Sequence, residues 1–107
     1  MNELVQRLSI GNHPITVGGP QPSREELYKR VTQLKYVFIK FTGTRGGTDL
    51  GVRVDTDATD MSQADFQKGT GTVHIEGTLT LNYVKIRCIA DIDLATLNGN
   101  GHLVSLV

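Results

Sequence analysis

From Gly71 to Leu97 apolar and polar residues alternate with a period of two for longer than anywhere else in the chain. Successive side chains of an extended strand point to opposite faces, so this stretch predicts two long antiparallel strands. In the first, Val73, Ile75, Leu79 and Leu81 share one face, and Thr72, His74, Glu76, Thr78 and Thr80 share the other. In the second, Val84, Ile86, Cys88, Ala90, Ile92 and Leu94 lie together. Lys85, Arg87, Asp91 and Asp93 lie opposite them, with Ile89 as the one apolar residue in their row.

This sorting restricts the pairing. With a turn at Asn82 and Tyr83, Leu81 faces Val84, and outward steps bring Leu79 to Ile86, Ile75 to Ala90 and Val73 to Ile92. The polar face then sets Thr80 against Lys85, Thr78 against Arg87 and His74 against Asp91. A slip of two residues also keeps the faces sorted and sets Glu76 against Arg87 instead. An odd slip turns the apolar row into water and is excluded. Gly77, in mid-strand, predicts a bulge or the close approach of another backbone.

One clear helix precedes this hairpin. Ser23 and Glu26 form a capping box, and Leu27, Val31 and Leu34 recur at helical spacing with Tyr28 beside them. A helix is therefore expected from Ser23 to Leu34, with Arg24, Glu25, Lys29 and Arg30 on its solvated side. Tyr36 to Phe41 alternates with both faces largely apolar, the pattern of a central strand covered on both sides. Gly51 to Val54 is a further strand that aims Arg53 away from Val52 and Val54.

Shorter signals fill the remainder. Leu4, Val5, Leu8 and Ile10 fit a helical turn or an extended arm, and Ile15 to Val17 a short strand after the turn Gly11-Asn12-His13-Pro14. Met61 to Phe66 reads as one helical turn. Asn98-Gly99-Asn100-Gly101 reads as a hairpin turn leading into a closing strand, His102 to Leu106.

The 107 residues suffice for one core, and the whole chain, 1–107, is read as a single domain. Twelve glycines, no tryptophan and short threonine-rich strands favour sheet over helical bundle. The expected class is α+β, mainly β: a curled antiparallel sheet or small barrel of five to six strands with one covering helix. Leu27, Val31, Ile39, Val73, Ile75, Leu79, Ile86, Cys88 and Ile92 are expected to be buried together. The polar face leaves two solutions, a curled sheet or small barrel around a partly polar cavity, or a flat sheet that dimerises.

Lysine plus arginine and aspartate plus glutamate each number 11, so the balanced charge gives no general attraction to nucleic acid or to an anionic membrane. Neither is expected as a partner. The single cysteine, Cys88, sits in an apolar row and reads as a buried structural thiol in a reducing compartment. The start Met-Asn-Glu-Leu-Val-Gln-Arg-Leu lacks the apolar core of a secretory signal, and no run approaches the ~18 apolar residues of a membrane span. The expected location is cytoplasmic.

Chemistry concentrates on the polar face. His74 with Asp91 or Glu76 is a candidate proton-transfer pair, and Arg53, Lys85 and Arg87 are candidate anchors for an anionic group. The loop Thr42-Gly43-Thr44-Arg45-Gly46-Gly47-Thr48 reads first as a hairpin connection and second as an anion site, with Arg45, Gly46 and Gly47 supplying donors. It lacks the lysine and following helix of a P-loop. Asp55, Asp57 and Asp60 lack the glycine and distal glutamate of a calcium loop, and no cysteine-histidine cluster suggests zinc. No cofactor is expected.

Two functions follow. The first is a cofactor-independent isomerase, cyclase or lyase that binds a small organic ligand, anionic in part, with His74, Asp91 and Glu76 as its catalytic residues. The second is a non-catalytic accessory or interaction module forming a homodimer through its sheet.

Overall fold

A computed structural model describes residues 3–20, 22–81 and 83–106. Two helices and seven strands follow in chain order. They are α1 (Glu3–Leu8), β1 (His13–Val17), α2 (Arg24–Lys29, continued by a π-helical turn Arg30–Leu34), β2 (Tyr36–Phe41), β3 (Thr48–Val54), β4 (Ala64–Asp65), β5 (Thr70–Leu81), β6 (Val84–Asp93) and β7 (Asn98–Ser105). All pairings are antiparallel, in the order β3-β2-β1-β7-β6-β5, and β3 pairs again with β5 through Arg53↔Thr78 and Val54↔Gly77. The six strands therefore close on themselves as a barrel, with β4 attached to the start of β5.

Alternation decides which side of this wall faces inward. Val37, Ile39 and Phe41 of β2, Val52 of β3, Val73 and Ile75 of β5, and Ile86, Cys88, Ala90 and Ile92 of β6 are all buried. They form one hydrophobic cluster with Val5 and Leu8 of α1 and with Leu27 and Val31. Small barrels of this kind are filled by their own side chains, and this interior follows that rule. The expected small barrel forms, but without the partly polar cavity, because the polar row of β5 and β6 faces outward and apolar side chains fill the interior. The flat sheet does not form, because its two edge strands, β3 and β5, pair with each other.

The long hairpin has the expected register, from Leu81↔Val84 through Leu79↔Ile86 and His74↔Asp91 to Val73↔Ile92. Its turn at Asn82 lies outside the described residues. Gly77 makes no bulge, since the ladder runs unbroken through Gly77↔Cys88. The glycine is there because β3 passes over it: a Cβ at Gly77 would collide with the Arg53 carbonyl. The absent side chain lets the barrel close.

Other elements depart from expectation for local reasons. The Asn98-Gly99-Asn100-Gly101 run is strand, and the turn lies one step earlier, from Leu94 to Leu97, with Leu97 left-handed at φ 61. Asp93 builds it: the Leu97 N–H donates to the Asp93 carbonyl at 2.7 Å and the Ala95 N–H to its carboxylate at 2.9 Å. Gly99 serves close packing, because a Cβ there would strike the Asp91 carbonyl. The Met61 to Phe66 segment is no helical turn; it places the two-residue strand β4 against Thr70 and Gly71.

Helix α2 starts as expected, with the Glu26 N–H donating to Ser23 Oγ at 3.0 Å. The reciprocal half of the capping box is replaced by an ion pair, Arg30 Nε to Glu26 Oε1 at 2.9 Å. The π-helical turn then rotates the α-helical stripe, and Leu34, expected inside, is 50% exposed. The second face of β2 is covered only in part: Tyr36 is 41% exposed, and the Arg30 guanidinium lies 4.8 Å from the centre of the Phe38 ring. Leu79 is partly buried at the edge of the cluster. Among the described residues no helix is long and apolar enough to cross a membrane.

Candidate functional site

The outward row of β5 and β6 brings His74, Asp91, Glu76 and Arg87 together, and the segment after β3 adds Asp55. Direct pairing supplies the first contact, His74 Nδ1–H to Asp91 Oδ1 at 2.8 Å. Glu76, two residues along the same face, takes the other ring nitrogen: Nε2–H donates to its Oε2 at 2.7 Å. Arg87 faces Thr78 in the ladder but reaches diagonally, donating from Nε to Glu76 Oε1 at 2.9 Å and from Nη2 to Asp55 Oδ2 at 2.8 Å. The His74-Asp91 contact and the Glu76-Arg87 contact, which the sequence offered as alternatives of register, thus coexist in one register.

The electrostatics follow from these contacts. A carboxylate only accepts, so a histidine bonded through both nitrogens to carboxylates must carry both protons. The His74 pKa is accordingly raised, first by its hydrogen bond to Glu76 and then, against the opposing effect of burial, by Asp91. Glu76 is held below the ordinary carboxyl range, first by the His74 hydrogen bond and next by Arg87. Asp55 is lowered chiefly by its hydrogen bond to Arg87. Such a histidine has no lone pair to take a proton from a substrate, and such an arginine is already committed to two carboxylates of its own chain.

The remaining predicted positions are scattered. Arg53 and Lys85 are exposed on the outer wall, opposite Thr78 and Thr80 respectively. Arg45, Gly46 and Gly47 sit at the Phe41↔Thr48 end of the β2-β3 hairpin, whereas Arg53 pairs with Tyr36 at the other end, roughly 17 Å along the strand. Their loop closes on itself. The Gly47 N–H donates to the Thr44 carbonyl at 3.0 Å, and the hydroxyls of Thr44 and Thr48 are 2.7 Å apart.

Two open grooves mark the surface. One, about 750 Å³, lies between α2 and the β4 segment, with Tyr28, Met61 and Phe66 among its walls. The other, about 350 Å³, lies near Gly18, Lys40, Asp49 and Leu97. His74, Glu76, Asp91 and Arg87 line neither.

Residues 21–106 match the pattern of the core binding factor beta subunit. The chain belongs to that family. No curated protein matches it in sequence. Core binding factor beta subunits are non-catalytic transcription co-factors that bind RUNX proteins, which in turn bind DNA. Membership overturns the expectation of an isomerase, cyclase or lyase acting on a small organic ligand, and with it the catalytic roles given to His74, Asp91 and Glu76. It favours the accessory-module reading. The physical reason for the error is visible in the ladder, where a histidine-carboxylate pair has the geometry of a catalytic dyad and the protonation of a structural ion pair.

Asp55 escaped the sequence reading as a member of this network. Its signal was present, since it ends the alternation Val52-Arg53-Val54-Asp55, but its partner lies 32 residues away and is reached only once β3 closes on β5.

Proposed function

We propose that this chain is the non-catalytic subunit of a transcription complex and binds a RUNX-type, DNA-binding protein. The observation that carries this reading is the family match over residues 21–106. Two structural features support it. A closed barrel with a filled core offers a rigid outer surface, which lowers the ordering cost of association. The charge ladder ties β5, β6 and the segment after β3 together at the seam where the barrel closes, a role in shape rather than chemistry.

Within this reading the exposed β2-β3 tip is a contact, where the Arg45 guanidinium, carried beside Gly46 and Gly47, receives a carboxylate of the partner, the protein counterpart of the anion expected there. The buried thiol Cys88 suits the reducing cytoplasm and nucleus, where the partner would be met. Calorimetric titration of the chain into a purified RUNX protein tests the proposal. A one-to-one complex is expected, weakened by Arg45→Glu. Absence of heat and of co-elution on gel filtration would remove the proposal; a complex indifferent to Arg45→Glu would remove only the tip.

A further inference from the structure

The strap of residues 55–69, between β3 and β5, is anchored to β5 at Glu76, at His74 and, through Gln63 and β4, at Thr70 to Thr72; the first two anchors belong to the charge ladder. The Asp55 N–H donates to the Glu76 carbonyl at 2.8 Å, and the Glu76 N–H donates to Thr59 Oγ1 at 3.3 Å. Asp60 and His74 exchange both backbone hydrogen bonds, at 2.9 and 3.0 Å. One further bond, from the Thr72 N–H to the Gln63 carbonyl at 3.1 Å, follows along the same edge. The backbone that holds the strap is thus the backbone of the residues that share the His74 proton.

We propose that protonated His74 is a latch holding residues 55–69 against the wall, and that loss of this proton loosens the strap while the barrel stays folded. The groups around the ring make the sign clear. Glu76 lies beside it on β5, Asp91 faces it from β6, and Asp60 acts on it from the strap itself. Arg87 lies beyond Glu76 and is shared with Asp55 at the start of the strap. With the proton in place, an imidazolium and a guanidinium face these four carboxylates. Without it, the guanidinium stands alone among them, and either Glu76 or Asp91 must face an imidazole lone pair.

Repulsion then falls on the partner held by the fewest ladder bonds. Glu76 and Asp91 are held in long ladders, whereas Asp60 is attached by one isolated bridge and turns back on itself, its carboxylate accepting from the Ser62 N–H at 2.8 Å. The far side of the strap is fastened separately, by the Phe66 ring packed edge-on to Tyr28 with centroids 4.9 Å apart. Loosening is therefore confined to the edge near Asp60. It changes the walls of the groove between the strap and α2.

Amide hydrogen exchange on the intact chain, across the titration of the His74 ring followed by NMR, tests the latch. After correction for intrinsic base catalysis, protection of the Asp60, His74 and Thr72 amides should be level below the titration. It should then fall by about tenfold for each unit separating the latched from the unlatched ring pKa. The β6-β7 amides of Ile89 and His102 should stay better protected than the strap amides at every pH, because only unfolding of the barrel frees them. His74→Gln should remove the step and leave the strap at its high-pH protection throughout. Level protection of the strap amides through the ring titration in the parent chain would overturn the proposal. So would strap protection equal to that of Ile89 and His102 at every pH, because the strap would then open only when the whole barrel unfolds.

Discussion

At the scale of single residues, the two hydrogen bonds of His74 are unequal, and the Glu76 bond does more than the Asp91 bond to hold its proton. Glu76→Gln should therefore lower the His74 pKa more than Asp91→Asn does, although the cross-strand partner is the one evident from sequence. Side-chain titration by NMR in the three proteins checks the order; equal shifts, or the reverse order, would show that the same-strand bond to Glu76 is not the stronger of the two. Cys88 offers a second check. Burial pushes its thiol up to about 12, so it should resist thiol reagents at neutral pH in the native protein and react at once when denatured. Strand pattern alone places Asp91 across from His74 and so implies a raised pKa; what it does not disclose is that Glu76 outweighs Asp91, which depends on both carboxylates arriving together.

At the scale of elements, the legible parts were those governed by periodicity. The strand Tyr36–Phe41, the helix start at Ser23 and the β5-β6 register follow from alternation, capping and the match of apolar rows. The elements misread were governed by contacts with distant chain. Asn98-Gly99-Asn100-Gly101 has turn composition, yet its glycines serve close packing against β6, and Asp93 makes the turn instead. Asp93→Ala should accordingly destabilise by about 1 kcal/mol, the usual cost of losing a side-chain cap on a turn amide, whereas Asn98→Ser should be near neutral in urea unfolding. The opposite ranking would restore the glycine-rich turn.

At the scale of the molecule, stability is a matter of a filled interior and a charged seam. Ile86→Ala should cost roughly 2 to 5 kcal/mol, because Ile86 is fully buried in the cluster. Gly77→Ala should also be destabilising, because its methyl meets the Arg53 carbonyl where the barrel closes. The seam sets the pH profile. The raised His74 pKa contributes stability that is complete below the ordinary imidazole value, about 6.5, and is lost as pH rises through the folded value. The lowered Glu76 pKa contributes stability present above the ordinary carboxyl range and lost as pH falls through the folded value. Melting temperature should therefore peak between these limits, and Glu76→Gln should flatten both flanks; a profile unchanged by that substitution would show the ladder to be thermodynamically idle.

The barrel was legible because six alternating segments with one apolar face each have few ways to bury it. The accessory role stood only as the second of two functions, because a protein-binding surface need leave no mark in composition or spacing, whereas a histidine between two carboxylates has the residue types of a catalytic site. Membership of the core binding factor beta subunit family makes the partner the central question. Gel mobility of labelled DNA with a RUNX protein, in the presence and absence of the chain, addresses it most directly. A slower ternary band should appear only when the RUNX protein and this chain are both present, with no shift of DNA by the chain alone. An unchanged RUNX-DNA band at saturating chain, or a shift of DNA by the chain without RUNX, would contradict the proposed complex.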